Sequence, residues 1–123
     1  MTLAPLVPRP LADDVLVFRG PAFESVATAF LAGEQTVLVD TLASLDDALA
    51  MRQYLQAHGG ARVATIVSTH YMDDHAGGLA AFPEARVLAH PLFGFTHALG
   101  RTPASRFDGY RAPDQQVDAP LEL

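Results

Sequence analysis

The sequence predicts a single α/β domain built around a mixed sheet. Two patterns point to this class: three short apolar runs separated by turn residues come first, and an amphipathic stretch between two further apolar runs follows. The length of 123 residues is that of one ordinary domain and is enough to bury a core. Since half of the residues are apolar and only 18% are charged, disorder of the whole chain is excluded.

The first part of the chain is predicted to form an antiparallel meander. Residues 1–12 are rich in proline and are expected to be an extended lead-in. Apolar runs at 15–18, 25–31 and 36–39 are bounded by turn residues, with residues 34–35 as the turn between the last two. Short runs joined by short turns are typical of neighbouring antiparallel strands.

A strand–helix–strand unit is predicted next. Ser44 is a suitable N-cap, two aspartates follow it in the first turn, and the apolar residues beyond form one stripe, which together predict a helix at Leu45–Ala57. His58 is expected to cap the last turn, and the glycines at 59–60 are expected to end the helix. The apolar run at 62–68 predicts a strand that is buried on both faces and parallel to the strand before the helix, across a right-handed crossover.

The remaining elements are predicted to be shorter. A short helix is expected at 79–82, a strand at Arg86–Ala89 and a helix at 91–99, with a proline at its first position. Residues 100–123 are polar and contain prolines, so they are expected to form a loop or an extended arm. Residues 13–99 therefore form the predicted domain, flanked by the lead-in and this arm.

The loop after the buried strand carries the groups best suited to chemistry. His70, Asp74 and His75 lie within six residues of one another, beyond the carboxyl end of a parallel strand, where ligands of α/β proteins bind. Neutral imidazole and ionised carboxylate are ligands that zinc-like divalent ions take. Gly77 and Gly78 follow and allow the backbone to fold back closely beneath such ligands. The sequence therefore predicts a metal site in this loop.

This loop resembles the motif of a known family. Residues 69–78 are similar to the signature T-H-x-H-x-D-H-x-G-G of the metallo-β-lactamase superfamily, and they depart from it only at Met72. The strand that ends in Asp40 also resembles the strand that precedes the metal loop in that family. The resemblance extends over about residues 15–90, where the order of the predicted elements agrees with the family.

The resemblance implies a more specific fold. Domains of that family are αββα sandwiches of two similar halves, each a mixed sheet flanked by helices, and this chain resembles the N-terminal half. Two origins stay open, a natural half-domain and a truncated product of a longer gene. Because a half-sandwich leaves one apolar sheet face uncovered, we expect a homodimer in which two copies pack sheet to sheet.

The resemblance also implies an activity. Members of the family use a metal to activate a water molecule, which then attacks a centre such as an ester, thioester or amide. On this pattern His70, Asp74 and His75 would hold the metal, and Asp74 would also act in catalysis by orienting the nucleophile. Asp40 would steady the loop from behind the ligands. The expected cofactor is zinc or another divalent transition metal, as one ion rather than two, or no ion at all.

Met72 makes the expected metal site incomplete. It stands where the family has the second histidine of its first metal site, and a thioether is a soft ligand that does not suit Zn²⁺. His90 ends the next predicted strand and would emerge at the same sheet edge if that strand is parallel to the one before it. It is therefore a candidate replacement ligand.

Structural readings of the same residues stay open beside the metal site. The loop could keep its fold without a metal, with Asp74 and His75 bonding to its backbone. Met72 would then fill a gap in the core, Asp40 would be a strand-end turn residue, and His90 a structural residue before a proline. Two function classes follow: a metal-dependent hydrolase with an altered site, and a catalytically inactive half-domain that acts as an interaction or regulatory module.

Composition argues against several other classes. Eight arginines and no lysine stand against fourteen acidic residues, and the resulting charge of −6 disfavours nucleic acid and anionic membranes as partners. The absence of cysteine excludes disulfides and thiolate ligands. No apolar run is long enough to cross a membrane, and the first ten residues do not resemble a signal peptide, so a cytoplasmic location is expected.

Overall fold

The computed structural model describes residues 5–21, 24–58, 62–69, 76–90 and 113–117. Within these residues the helices are α1 at Leu45–Ala57 and a short 3₁₀ turn at Leu79–Ala81. The strands are β1 Arg9–Ala12, β2 Val15–Arg19, β3 Val26–Ala32, β4 Gln35–Val39, β5 Arg62–Val67, β6 Arg86–Ala89 and β7 Gln115–Gln116.

These strands form one mixed sheet in which they lie side by side in chain order. The pairs from β1 to β4 are antiparallel, and the pairs from β4 to β7 are parallel. The predicted α/β class is therefore confirmed, with its meander and its strand–helix–strand unit. The parallel pairing of β5 with β6, on which the argument for His90 depended, is confirmed as well.

The turn between β3 and β4 differs from the predicted one by a residue. It is made by Gly33 and Glu34, and Gln35 already pairs with Ala32. Gly33 has a φ of +64°, a left-handed conformation that glycine adopts without the steric cost of a side chain. The prediction placed the turn at 34–35 because it ended the preceding strand near the glycine and took the polar pair after it as the turn.

Helix α1 has the predicted bounds and the predicted caps. The Ser44 hydroxyl oxygen accepts a hydrogen bond of 3.1 Å from the backbone N–H of Asp47, which satisfies one of the free donors of the first turn. At the other end His58 is the C-cap: its backbone N–H donates to the Tyr54 carbonyl, and its ring stacks on the Tyr54 ring at 3.8 Å. The glycines at 59–60 lie outside the described residues.

The core lies between the sheet and α1. Phe18, Leu38 and Ile66 point from three strands toward the helix and have no exposed surface. Met51 of the helix and Phe82, just after the 3₁₀ turn, close the same core. The apolar stripe of the helix and the apolar residues of the strands pack against each other, so each buries the apolar surface of the other.

The sheet face on the side away from α1 is less buried. We call six of its residues the valine face: Val15, Val17, Val26, Phe30, Val37 and Val39. Val26 and Phe30 are exposed and the other four are half-buried. The prediction that the strand at 62–68 is buried on both faces is not met, because Val63 and Ile66 are buried whereas Thr65 and Val67, on the other face, are only half-buried.

Both flanking segments contribute a strand that the sequence did not predict. β1 belongs to the lead-in and pairs with β2, with an irregularity between Pro10 and Ala12; proline is tolerated on such an edge strand. β7 belongs to the C-terminal arm and pairs with β6. The predicted strand Arg86–Ala89 is confirmed, as is the short helix near 79–82. The predicted helix at 91–99 lies outside the described residues.

Candidate metal centre

The carboxyl ends of the parallel strands bring two of the predicted site residues, Asp40 and His90, to one edge of the sheet. Asp40 follows β4, Thr69 follows β5 after one residue, and His90 follows β6. Val67 of β5 pairs with Leu88 of β6. Thr69 and His90, each two residues further along the chain, therefore occupy corresponding positions beyond the ends of these strands. His90 is exposed at this edge. The predicted metal loop leaves the sheet here, directly after Thr69.

Asp40 anchors the beginning of that loop. Its carboxylate accepts a hydrogen bond of 2.8 Å from the backbone N–H of Thr69, and the Thr69 hydroxyl lies 2.9 and 2.7 Å from the two carboxylate oxygens. Only 5% of Asp40 is exposed, and its own N–H donates to the Val67 carbonyl at 2.9 Å. A buried carboxylate that is hydrogen-bonded in this way fixes the direction in which the chain leaves β5.

The end of the loop is anchored on the residues that follow Asp40. The N–H of Gly77 donates to the Leu42 carbonyl at 3.1 Å, and the N–H of Gly78 donates to the Thr41 hydroxyl oxygen at 3.2 Å. A Cβ atom on Gly78 would lie 2.3 Å from the Thr41 carbonyl oxygen and 2.2 Å from the Cβ of Ala48. No side chain fits there, which confirms the predicted close backbone approach at this glycine.

The anchoring segment has an unusual backbone. Asp40 and Leu42 have φ angles of +64° and +69°, and Leu42 is fully buried. Aspartate tolerates the left-handed region, but for leucine it costs on the order of 1–2 kcal/mol. Such strain persists only where the surroundings impose it, and it concentrates at functional sites. Residues 40–42 thus hold both ends of the loop at the cost of a strained conformation.

The predicted ligands themselves are outside the reach of the structure. His70, Met72, Asp74 and His75 lie outside the described residues, so their convergence stays a prediction. Within the part of the chain that the structure describes, no group of three or more His, Asp or Glu side chains could hold a metal ion. The described residues therefore show how the two ends of the loop are anchored, and they do not include the predicted metal ligands.

Thr41 and Leu42 were missed by the sequence reasoning. The threonine had no visible motif, and leucine is among the residues that least favour a positive φ. The only available signal was positional, because both residues directly follow the aspartate that the family motif emphasises. Thr69 was recognised as the first residue of the signature, but its partner could be identified only from the structure.

The fold is that of an α/β half-domain, and the loop between the two anchors has the sequence of the signature described above. The chain belongs to the metallo-beta-lactamase superfamily, because the model of that family matches residues 21–118. No curated protein matches the chain in a sequence comparison.

Solved structures of metallo-beta-lactamases share the fold. The enzyme from Pontibacter korlensis superimposes with a TM-score of 0.76 at 18% identity, over 93% of this chain and 53% of its own. The enzyme from Hirschia baltica gives 0.73 at 15% identity, over 96% of this chain and 54% of its own. FIM-1 from Pseudomonas aeruginosa, solved in its mono-zinc form, gives 0.73 at 15% identity, over 93% and 51%.

This chain therefore spans about half the length of the structures that it resembles. That agrees with the predicted fold, one half of a metallo-β-lactamase-like αββα sandwich. In the described part of the chain no helix is both long and apolar enough to cross a bilayer. The cytoplasmic location stays a prediction.

Proposed function

We propose that this chain is a metal-dependent hydrolase domain of the metallo-beta-lactamase superfamily with an altered site for one divalent ion. The observation that carries the proposal is the anchoring of the loop at both ends. Asp40 holds Thr69 at its start, and Thr41 and Leu42 hold the two glycines at its end. A loop that only connected two elements would not need a buried carboxylate and a strained leucine to fix it.

The residues in and beside the loop have the donor chemistry of a zinc site. His70, Asp74 and His75 would hold the ion, and His90, at the same sheet edge, is the candidate for a further ligand. A bound ion of this kind lowers the pKa of water and so supplies a nucleophile near neutral pH. The Asp74 carboxylate would orient that nucleophile toward an ester, thioester or amide centre of the substrate.

Asp40 would act as a positioning residue. Both of its carboxylate oxygens are engaged by Thr69, so its part is to set the backbone direction that leads into His70. This is the role of groups that support metal ligands without touching the metal. Met72 limits the proposal to one ion, because its thioether does not replace the histidine of the family motif for Zn²⁺.

A catalytically inactive interaction module is the second candidate. The observation that favours it is Met72, since the loss of one ligand weakens a site that normally needs three protein ligands and a water. In that case the anchored loop would be an inherited scaffold without a metal.

Metal content separates the two candidates. Purified protein is stripped with a chelator and titrated with Zn²⁺, and the bound metal is measured by elemental analysis. We expect wild type to retain about one ion per chain, His75→Ala to lose it, and Met72→His to bind more tightly. His58→Ala is the matched control, because His58 caps the far end of α1 and stacks on Tyr54.

The outcomes are exclusive. Zinc retained by wild type and lost in His75→Ala, with His58→Ala unchanged, supports the hydrolase proposal. If neither wild type nor Met72→His retains zinc, the hydrolase proposal is wrong and the inactive module is favoured. Retention that His75→Ala does not alter would place the metal elsewhere and would also contradict the proposal.

A further inference from the structure

A groove lies at the amino ends of the parallel strands, at the edge of the sheet opposite the metal loop. It has a volume of about 260 Å³ and lies between the second half of α1, the start of β5 and the segment that joins the 3₁₀ turn to β6. Leu55, Val63 and Phe82 form an apolar floor, and each of them is at most 5% exposed. We call it the Arg52 groove, after the arginine on its rim. The groove and the metal loop are separate sites, since they lie at opposite ends of β5.

The Arg52 side chain is held in place through one of its nitrogen atoms. Its Nη1 donates to the Ala81 carbonyl at 2.7 Å and lies 2.7 and 2.9 Å from the two carboxylate oxygens of Glu84. The guanidinium carbon is 5.6 Å from the centre of the Phe82 ring, a distance at which the ring attracts a cation. Among the described residues the other two nitrogen atoms have no hydrogen-bond partner. Arg52 is therefore an oriented cation with donors to spare.

Arg62 supplies a second cation at the same groove. It is the first residue of β5, it is exposed, and it lines the groove. Its side chain makes no hydrogen bond or ion pair with another residue that the structure describes. The two arginines and the Glu84 carboxylate carry two positive charges and one negative charge, so the lining has a formal charge of +1 in a chain whose net charge is −6.

Three other charged residues lie near this end of the sheet without lining the groove. Glu34 precedes Gln35, the residue that pairs with Arg62, and Arg86 begins β6. Both are exposed, and exposed charges interact weakly because water screens them. The Asp114 carboxylate accepts a hydrogen bond of 2.7 Å from the backbone N–H of Val87. The charges of the lining itself therefore dominate the choice of ligand.

We infer that the Arg52 groove binds a small organic monocarboxylate, with the carboxylate on the two arginines and the apolar part on the floor. Apolar walls with a few polar groups are the usual form of a small-molecule site, and the planar guanidinium fork matches a carboxylate. A monoanion balances the charge of +1, whereas Glu84 repels a doubly charged phosphate. Pockets for drug-sized ligands measure about 300–1,000 Å³, so this smaller groove takes a compact ligand of the size of benzoate.

The first test titrates the protein with benzoate and follows the methyl signals of Leu55 and Val63 by NMR, in a buffer free of other carboxylates and of phosphate. We expect saturable shifts at millimolar benzoate. Benzamide, which has the same shape and no charge, should bind at least about tenfold more weakly, and inorganic phosphate should also bind more weakly than benzoate. The inference is overturned if benzoate gives no saturable shift at these methyl groups, or if benzamide or phosphate binds as tightly as benzoate.

The second test examines the charges of the rim. Arg62→Gln should weaken benzoate binding at least about fivefold. Arg19→Gln is the matched control, because Arg19 is an exposed arginine at the end of β2, outside the groove. Glu84→Gln should strengthen binding about threefold, because it removes the repelling carboxylate while the Ala81 carbonyl still holds Arg52.

A purely structural role of Glu84 would not produce this gain. Equal weakening by Arg62→Gln and Arg19→Gln, or weaker binding by Glu84→Gln, contradicts the inference. Benzoate that bound a metal in the loop would shift signals at the other edge of the sheet and leave the Leu55 and Val63 methyl groups unchanged. The result is therefore independent of the proposed hydrolase function.

Discussion

The two faces of the sheet differ although they are made from the same strands. Toward α1, Phe18 and Leu38 are completely buried; away from it, Phe30 and Val26 keep two-fifths of their surface exposed. The residues on both sides are apolar, so hydropathy alone does not separate them. What separates them is the presence of a partner: one helix covers one face.

The difference in burial between the two faces shows which apolar side chains stabilise the fold of a single chain. Burial of a large apolar side chain contributes about 1.5–3 kcal/mol. The helix-covered face gains that contribution in every copy of the chain. The valine face gains it in full only when something else covers it.

The largest expected effect tests this contrast with a matched pair of phenylalanines. Phe18→Ala should lower the free energy of unfolding by about 3–5 kcal/mol, since it leaves a cavity in a closed core. Phe30→Ala should cost less than about 1.5 kcal/mol at low protein concentration, because its ring is already partly in water. Denaturant titration of both variants checks the pair.

Protein concentration sharpens the same comparison. If the valine face takes part in self-association, the loss caused by Phe30→Ala should grow as the concentration rises, because wild type then gains stability from the association. The loss caused by Phe18→Ala should not change in this way. Equal losses for both variants at all concentrations would mean that the two faces are equally covered, and the contrast would disappear.

A pair of glycines gives the next largest effect, on the helix-covered side. Gly78→Ala should cost about 3 kcal/mol, because the new Cβ collides with the Thr41 carbonyl and with Ala48 of α1. Gly33→Ala should cost about 1 kcal/mol, since only its positive φ is disfavoured and no atom lies within 4 Å of the new Cβ.

Thermal unfolding and zinc retention are measured for both glycine variants. Gly78→Ala should reduce both, because Gly78 anchors the end of the loop, whereas Gly33→Ala should leave zinc retention unchanged. If Gly78→Ala is as stable as Gly33→Ala, the close approach of the loop to α1 is not a constraint on the fold.

The elements with local signals could be predicted from the sequence. Ser44 and the apolar stripe after it defined α1 to the residue, and alternating apolar runs located β2, β3 and β4. β1 and β7 had no such signal, because all four residues of β1 are exposed and β7 consists of two glutamines. Their pairing depends on free backbone groups at the edges of the sheet, which only the assembled structure supplies.

The residues of the candidate site also divide into those with a signal in the sequence and those without one. Asp40, Gly77 and Gly78 belong to a motif that the sequence displays, and the structure gives each of them an anchoring contact. Leu42 could not be predicted, since its positive φ results from its packing and not from its residue type. The convergence of His70 and His75 depends on side-chain directions within one loop, and sequence spacing does not determine them.

The smallest expected effect concerns the N-cap of α1, the helix that covers one face of the sheet. Ser44→Ala removes the hydroxyl that accepts from Asp47, and should cost about 1 kcal/mol at every protein concentration. Ser25→Ala is the matched control: among the described residues its buried hydroxyl has no hydrogen-bond partner, so its removal should not lower stability. Denaturant titration measures both. A cost for Ser44→Ala that rose with concentration would mean that α1 takes part in association, and the helix would then not stabilise the single chain alone.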